Sequence, residues 1–575
     1  MTEVFPSGNL RATVQPLRKV AVLSAALLLV VMLPGQCGAV VKAQAAKSDY
    51  FSVTRSVDLL GEVYKEVSEN YVDPVNVSEF MFSGIDGMLD LLDPYTSFLD
   101  EAESTELDEI TSGQYAGIGI TIGIMSKDLF ITSVIEGQAA EKAGLRIGDR
   151  IVAVNGLTTS HKSIEDVRAM IKGAVGTIVK LSVKRDGDGR ATTCTLKRAE
   201  VRVSTIPYSG LFGSVGYVEM GSFGEHSRDE LRSALESLKA LAEREHLAMT
   251  GIVLDLRGNP GGLLTSAVEA ATLFVEKGSR VVSTKGRTPE SEQIFLTKNE
   301  PIVPSLPLIV LIDPDSASAA EILAGAIQEL DRGVIIGEGS YGKGLVQSVI
   351  ALPYDHVLKL TTAKYYTPSG RLIQKPITHP EGHRKVLTGS GAYDSTKVYY
   401  TLNRRKVFGG GGIKPDITVR ALSPSDYEQA LEKNGMFFRY ASRFHAKHPD
   451  FQLPLLQSVP VFDDFRSFVE SEKFKFRSRP QRGLDSLKVM LRKDGLKDGD
   501  SLAGKLDILE KDLGEWTLRR IAQDSTRLTA AVRKELIRHY DQRASRRVAI
   551  EADPVAARAF ALLSDPKSYR ALLKP

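Results

Sequence analysis

Leu308-Ile-Val-Leu-Ile-Asp-Pro-Asp-Ser-Ala-Ser-Ala-Ala-Glu321 decides the architecture of this 575-residue chain. Five apolar residues without alternation read as a strand buried on both faces. Asp313-Pro314 makes a turn, and the small and apolar residues of 318–330 then read as a helix. The same order recurs upstream, with an apolar run at 251–256 and a helical pattern at 265–275. Alternation of this kind over 201–420 predicts an α/β core around a parallel sheet. A serine in such a turn, Ser316 or Ser318, presents its hydroxyl above a strand end, where open α/β sheets bind ligands. The helix N-terminus adds free N–H groups and a positive partial charge, which suits a developing oxyanion. Either serine would serve equally well as a helix cap, so the turn alone leaves both roles open.

Working outward, Gly339-Ser-Tyr-Gly-Lys-Gly-Leu-Val-Gln347 sets Lys343 between two glycines. That lets it approach other backbone closely and be shielded from water. Desolvation disfavours the ammonium, and a neutral amine can take a proton from a serine. Gln347 is placed to orient the amine only if the strand bends, since residues four apart on a straight strand are separated by about 13 Å. Gly344 is the expected bend. The stretch 337–343 also spells a phosphate-loop pattern, but Gly344 stands where Ser or Thr would hold magnesium. A strand-like sequence follows rather than a helix, so the phosphate cradle is incomplete.

Asp255-Leu-Arg-Gly-Asn-Pro-Gly-Gly262 ends the other buried strand and exposes backbone N–H groups able to complete an oxyanion hole. It reads equally as a tight strand-to-helix turn. No G-x-S-x-G elbow and no H-E-x-x-H helix occurs. His379-Pro-Glu-Gly-His383 lies in a Pro/Gly loop and reads as solvated surface, and two cysteines exclude a cysteine-rich zinc site. No metal and no cofactor is expected.

At about 150 residues per domain the length implies three or four units. Hydrophobic residues at 42% and charged residues at 25% are ordinary for folded protein. A net charge of +3 gives no basic footprint for nucleic acid. Arg11, Arg18 and Lys19 precede an apolar run at 20–33 and a small-x-small site at Ala43-Gln44-Ala45, the three parts of an export signal. The run is shorter than the roughly 20 residues of a spanning helix, so the segment reads as cleaved or, second, as an uncleaved anchor. With Cys37 in that segment, Cys194 is left without an intramolecular partner.

These patterns divide the chain into a signal segment at 1–45, an N-terminal helical region at 46–110, a β-rich module at 111–200, the core at 201–420 and a charged helical extension at 421–575. Val53, Val57, Leu60, Val63, Tyr64 and Val67 form one helical stripe, broken at Asp73-Pro74. The module reads as short strands, among them 129–134, 139–144 and 149–155, with a helix at 164–171. The glycine tract 409–412 reads as flexible. No purpose is assigned to the extension.

Together the three loop motifs, with Tyr71-Val-Asp-Pro74, Leu92-Asp-Pro-Tyr95 and Gly412-Ile-Lys-Pro-Asp416, resemble the carboxyl-terminal processing proteases, PDZ-containing Ser/Lys peptidases. The resemblance covers about 64–419. It implies a multidomain α+β protein, with a crotonase-like α/β protease core and an inserted PDZ domain. By position it implies Ser318 as nucleophile, three residues before Glu321, with Lys343 as general base and Gln347 as its support. It implies the N–H groups of Ala319 and Gly262, preferred over Gly261, as the oxyanion hole. Ala320 departs from the family, where another serine is common. Ala143-Gly-Leu-Arg-Ile-Gly-Asp-Arg-Ile-Val-Ala-Val-Asn-Gly156 looks like a PDZ signature. Gly117, Ile118, Gly119 and Ile120 then offer N–H groups to a substrate's terminal carboxylate, beside a strand edge open to an extended peptide. The expected partners are proteins or peptides with exposed C-termini, with homo-oligomerisation left open. The expected address is the periplasm or the outer face of the inner membrane.

Overall fold

The computed structural model describes residues 39–125, 127–185, 190–376 and 397–575. Residues 1–38 of the signal segment, Cys37 included, and His379–His383 lie outside the described residues. The chain divides into two compact units, one up to Gly84 and one from Ile85 onward. In the first, the helix Ala39–Asn70 contains the small-x-small site and stops just before Asp73-Pro74. The rings of Tyr64 and Phe80 stack at 5.8 Å, and Tyr64 OH donates to Val77 O. The predicted stripe of Val53, Val57, Leu60 and Val63 is at least half exposed. Among the described residues no helix is long and apolar enough to cross a membrane.

In the second unit the central sheet runs in the order Tyr208–Phe212, Val215–Glu219, Gly251–Asp255, Leu308–Ile312, Val334–Gly337, Ile417–Thr418. The first pair is antiparallel and every later pair parallel. Alternate strand residues serve opposite faces. Ile252, Leu254, Val310 and Ile335 pack with the helices Ser227–Arg244, Leu264–Ala271 and Ala319–Glu329. Val253, Ile309, Leu311 and Ile336 pack with Val555, Ala559, Leu562 and Leu563, from the last helices of the chain. Tyr569 OH adds hydrogen bonds to the N–H and carbonyl of Leu308, at 2.9 and 3.0 Å. The extension therefore does two things. Its residues 431–536 build a separate apolar cluster, while 550–569 supply the outer layer of the α/β core.

A second, antiparallel sheet joins Ser97–Leu99, Val357–Tyr366, Arg280–Gly286 and Gln293–Leu296, with Leu345–Ala351 also on Val357–Tyr366. The strand Ser97–Leu99 adds a β element that the reading of 46–110 as a helical region did not contain. Its register partners are Val357–Lys359, far along the chain, so no local pattern announces it. The module at 111–200 enters and leaves through a two-stranded ribbon, Gln114–Gly117 against Ala199–Arg202. Its sheet runs Ile120–Met125, Asp128–Val134, Arg150–Val154, Ile178–Lys184, Thr192–Lys197. The stretch at 139–144, read among the strands, is instead the short helix Ala139–Lys142, ended by Gly144 at φ +75°. Its Ala-Ala-Glu-Lys sequence is of good helix formers.

Leu562→Ala empties space against the central sheet and should cost about 2–5 kcal/mol in urea unfolding. Leu518→Ala, at a side chain 68% exposed, should cost under about 0.5 kcal/mol. Equal losses would mean that the last helices do not belong to the core.

Candidate active site

Three adjacent parallel strands end at Asp255, Ile312 and Gly337, and the three loop motifs leave from these ends. The loops are tied to one another. Ala317 N donates to Asn259 O at 2.9 Å, Gly258 N to Asp313 Oδ1 at 3.0 Å, and Tyr341 N to Ser316 O at 3.0 Å. Ser316 is fully buried, accepts from Asp313 N and donates to Leu256 O. Its hydroxyl is used in building the turn. Ser318 is half-buried, and its Oγ donates to no described residue. Its backbone sits at φ 54°, ψ −114°, a region suited to glycine that costs a serine about 1–3 kcal/mol.

Glu321 holds this serine beside the lysine loop. Its buried carboxylate accepts from Ser318 N at 2.9 Å, Gly342 N at 2.7 Å, Lys343 N at 2.9 Å and Ser340 Oγ. Burial pushes its pKa up to about 6, against the pull of these hydrogen bonds. Tyr365 makes a second bridge, its hydroxyl within reach of the carbonyls of Ser318, at 3.1 Å, and of Lys343. The glycine tract expected to be flexible is pinned here instead. Gly412 N donates to Ile373 O and Ile413 N to Ser340 Oγ. A Cβ on Gly412 would stand 2.7 Å from that same oxygen.

Lys343 is packed as its flanking glycines suggested. Gly344 N donates to Gln374 Oε1, and a Cβ on Gly344 would lie 2.9 Å from Gln374 N. The Lys343 amine rests 4.5 Å from the Tyr95 ring centre and makes no hydrogen bond or ion pair with a described residue. Desolvation, helped by the like charge of Lys359, pushes its pKa down to about 8. No hydrogen bond joins it to Ser318 Oγ. Gln347 does not reach the amine either, which corrects the expected direct support. The register shift in this ladder falls between Val346 and Gln347, not at Gly344, and Gln347 Nε2 donates to Thr361 Oγ1 at 3.2 Å. Thr361 donates onward to Asp93, whose carboxylate also accepts from Tyr95 N and Thr96 N.

The glycine turn separates its two candidates. Gly261 N is occupied by Asn259 Oδ1 at 2.9 Å, and a Cβ there would lie 2.8 Å from Ser318 Cβ. Gly262 is exposed, and its N–H has no acceptor among the described residues. The N–H of Ala319, in the open first turn of its helix, has none either.

In the module, Ile118 and Gly119 likewise have N–H groups without described acceptors, while Gly117 closes the ribbon and Ile120 starts an edge strand. A groove of about 370 Å³ opens here, walled by Ile118, Ile120, Ile122 and Ile171. Helix Glu101–Ser112, from outside the module, adds Ile110 to the lining, and its Glu106 and Glu109 pair with Arg168 and Lys172.

A model of peptidase family S41 matches residues 214–381, a PDZ-domain model matches 130–185, and a model described as a probable PDZ-protease C-terminal helical domain matches 427–563. The carboxy-terminal-processing protease of Bartonella bacilliformis is 35% identical over 314 residues, 55% of this chain and 71% of its own. The chain belongs to the carboxy-terminal processing protease family. It is a serine-type peptidase with a PDZ domain and a C-terminal helical domain. Carboxy-terminal processing protease CtpA of Bacillus subtilis is 32% identical, over 56% of this chain and 68% of its own. Among solved structures, a photosystem II D1 C-terminal processing protease aligns at 28% identity and TM-score 0.32, over 55% of this chain and 84% of that one.

Sequence reading of this protease missed Tyr365 and the Thr361–Asp93 link, because their partners lie far away along the chain. Glu321 served it only as a positional marker. The Ser-x-x-Glu spacing at a helix start was the one local signal that could have exposed its role. Tyr365→Phe should lower kcat about tenfold with KM nearly unchanged, at a folding cost near 1 kcal/mol. An unchanged kcat would remove Tyr365 from any part in positioning Ser318 and Lys343.

Proposed function

We propose that this protease is an exported endopeptidase that captures the C-terminal tail of a protein substrate in its PDZ groove and cuts the chain with a Ser318–Lys343 dyad. The observation that carries the reading is a shielded lysine amine with a pKa near 8, tied through Glu321 and Tyr365 to a serine in strained backbone geometry. Neutral Lys343 takes the Ser318 proton as Oγ attacks the scissile carbonyl carbon. Amine and hydroxyl close to hydrogen-bond distance when substrate binds, as catalytic groups often do. The N–H groups of Ala319 and Gly262 receive the oxyanion. Lys343 then returns the proton to the leaving amine as the C–N bond breaks, and water hydrolyses the acyl-enzyme. Gln347 acts indirectly, steadying through Thr361 and Asp93 the turn that sets Tyr95 against the amine.

The core reads as crotonase-like. At the tail site, the unused N–H groups of Ile118 and Gly119, the open edge of Ile120–Met125 and the aliphatic groove support carboxylate capture with strand addition. The signal pattern supports export to the periplasm, with the segment cleaved or kept as an anchor on the outer face of the inner membrane. The exposed stripe of Val53, Val57, Leu60 and Val63 supports a homo-oligomer.

Purified Ser318→Ala and Lys343→Ala should each lose essentially all cleavage of an unstructured protein, and a serine-reactive probe should label the wild type but not Ser318→Ala. Wild-type-like cutting by either variant would overturn the dyad. Because the active form of Lys343 is the neutral one, kcat/KM should rise with pH and reach half its limit near pH 8. A flat profile from pH 6 to 9 would exclude a lysine base.

A further inference from the structure

A domain inserted through a two-stranded ribbon is free to swing unless a second contact holds it. The PDZ domain has two, the Glu106–Arg168 and Glu109–Lys172 pairs with helix Glu101–Ser112 and, on another side, a seam with the C-terminal helices. Phe130 and Ile147 pack with Phe438 of the helix Met436–Lys447, the two phenylalanine rings edge-on at 5.6 Å. Gly148 approaches Ser442 so closely that a Cβ would stand 2.6 Å from its Oγ. Arg538, near the end of the helix Ser525–Tyr540, donates to Thr132 O at 2.7 Å. Gln542, which opens the helix Gln542–Glu551, donates to Val134 O at 3.1 Å and accepts from Ser133 Oγ at 2.8 Å. Val134 is the register partner of Ile120, and Ile135 N donates to Gly119 O. Gln542 thus grips the strand that directly backs the carboxylate loop.

The same short helix is fastened to the protease core. Arg543 donates to Ser209 O at 2.6 Å, Arg547 to Leu211 O at 3.0 Å, and Arg546 pairs with Glu219. The guanidinium groups of Arg543 and Arg547 lie over the rings of Tyr208 and Phe212. Strand Val215–Glu219 pairs with Gly251–Asp255, and that strand with Leu308–Ile312, which leads to Ser318. Gln542 and Arg546 are four residues apart, about 6 Å along a helix. Little more than one helical turn therefore joins the tail-binding loop to the sheet that carries the serine.

We propose that the helix Gln542–Glu551 is a spacer that sets how many substrate residues separate the captured C-terminus from the bond cut, with Gln542 and Arg546 as positioning residues. This rests on the reading that the PDZ groove takes the tail. An extended substrate spans at most about 3.3–3.6 Å per residue. A swing of the groove by several ångströms therefore moves the cut by one or two bonds.

The test uses the full chain and two forms of one unstructured peptide ending in an aliphatic residue, one with a free carboxylate and one amidated. Cleavage positions are mapped by mass spectrometry alongside kcat/KM. The wild type is expected to cut the free acid at one dominant bond. The double variant Arg538→Ala/Gln542→Ala and, separately, Arg546→Ala are expected to spread the cuts over neighbouring bonds. Both should lower kcat/KM on the acid about tenfold and leave the amide unaffected. The Arg546–Glu219 pair is half-exposed on its arginine side, where solvent screens it, so its loss should leave the fold intact. A single unchanged bond in both variants overturns the spacer, and so does an equal loss on both peptides. Should the wild type treat acid and amide alike, the tail reading itself fails, a result distinct from a wild type that prefers the acid and variants that do not spread.

Discussion

The carboxylate of Glu321 is the contact on which the candidate active site depends. A buried charge is costly unless donors surround it. Here Ser318 N, Ser340 Oγ, Gly342 N and Lys343 N converge on two oxygens. Because the donors come from the ends of two different strands, satisfying one side chain fixes the spacing between two loops. The same demand helps to hold Ser318 in its strained backbone geometry, since relaxing it would withdraw an N–H from a buried acceptor. Tyr365 doubles the connection through the carbonyls of the two residues.

Everything around this carboxylate makes room for close approach. Gly261 lies against Ser318, Gly344 against Gln374, and Gly412 against Ser340, each where a methyl group would collide. Lys343 is thereby left half-buried, between backbone and the Tyr95 ring, without an ion-pair partner among the described residues, and desolvation outweighs the pull of Asp93 and Glu321, so its affinity for a proton falls. The parallel sheet places the loops in register, and it is buried on both faces only because the last helices of the chain cover one of them. The far end of the sequence therefore belongs to the scaffold of the site, and it is also what grips the PDZ domain.

Much of this was legible locally. Two unbroken apolar runs announced strands buried on both faces, and Leu308–Ile312 occupies the stretch so read. Choosing between Ser316 and Ser318 was beyond local pattern, as each is a small polar residue in a turn. Geometry separates them, since Ser316 donates to Leu256 O across the loop and the Ser318 hydroxyl donates to no described residue. Local pattern did not separate Gly261 from Gly262 either, the preference for Gly262 resting on the family resemblance, and in the structure the side chain of Asn259 takes the N–H of Gly261. The three-residue strand Ser97–Leu99 and the contact of Gln347 with Thr361 escaped because strand pairing between distant segments leaves no period in either one.

The amino-acid sequence by itself determined the kinds of element, the order of the modules and the chemical types at the site, because apolar periodicity, turn residues and motif spacing act within a few residues. Only the tertiary structure decided which hydroxyl is left free, which N–H groups remain open, how far the lysine is desolvated and what covers the second face of the sheet. Each of those is a competition for hydrogen bonds or for water between groups remote in sequence, and it is resolved only when the chain is packed.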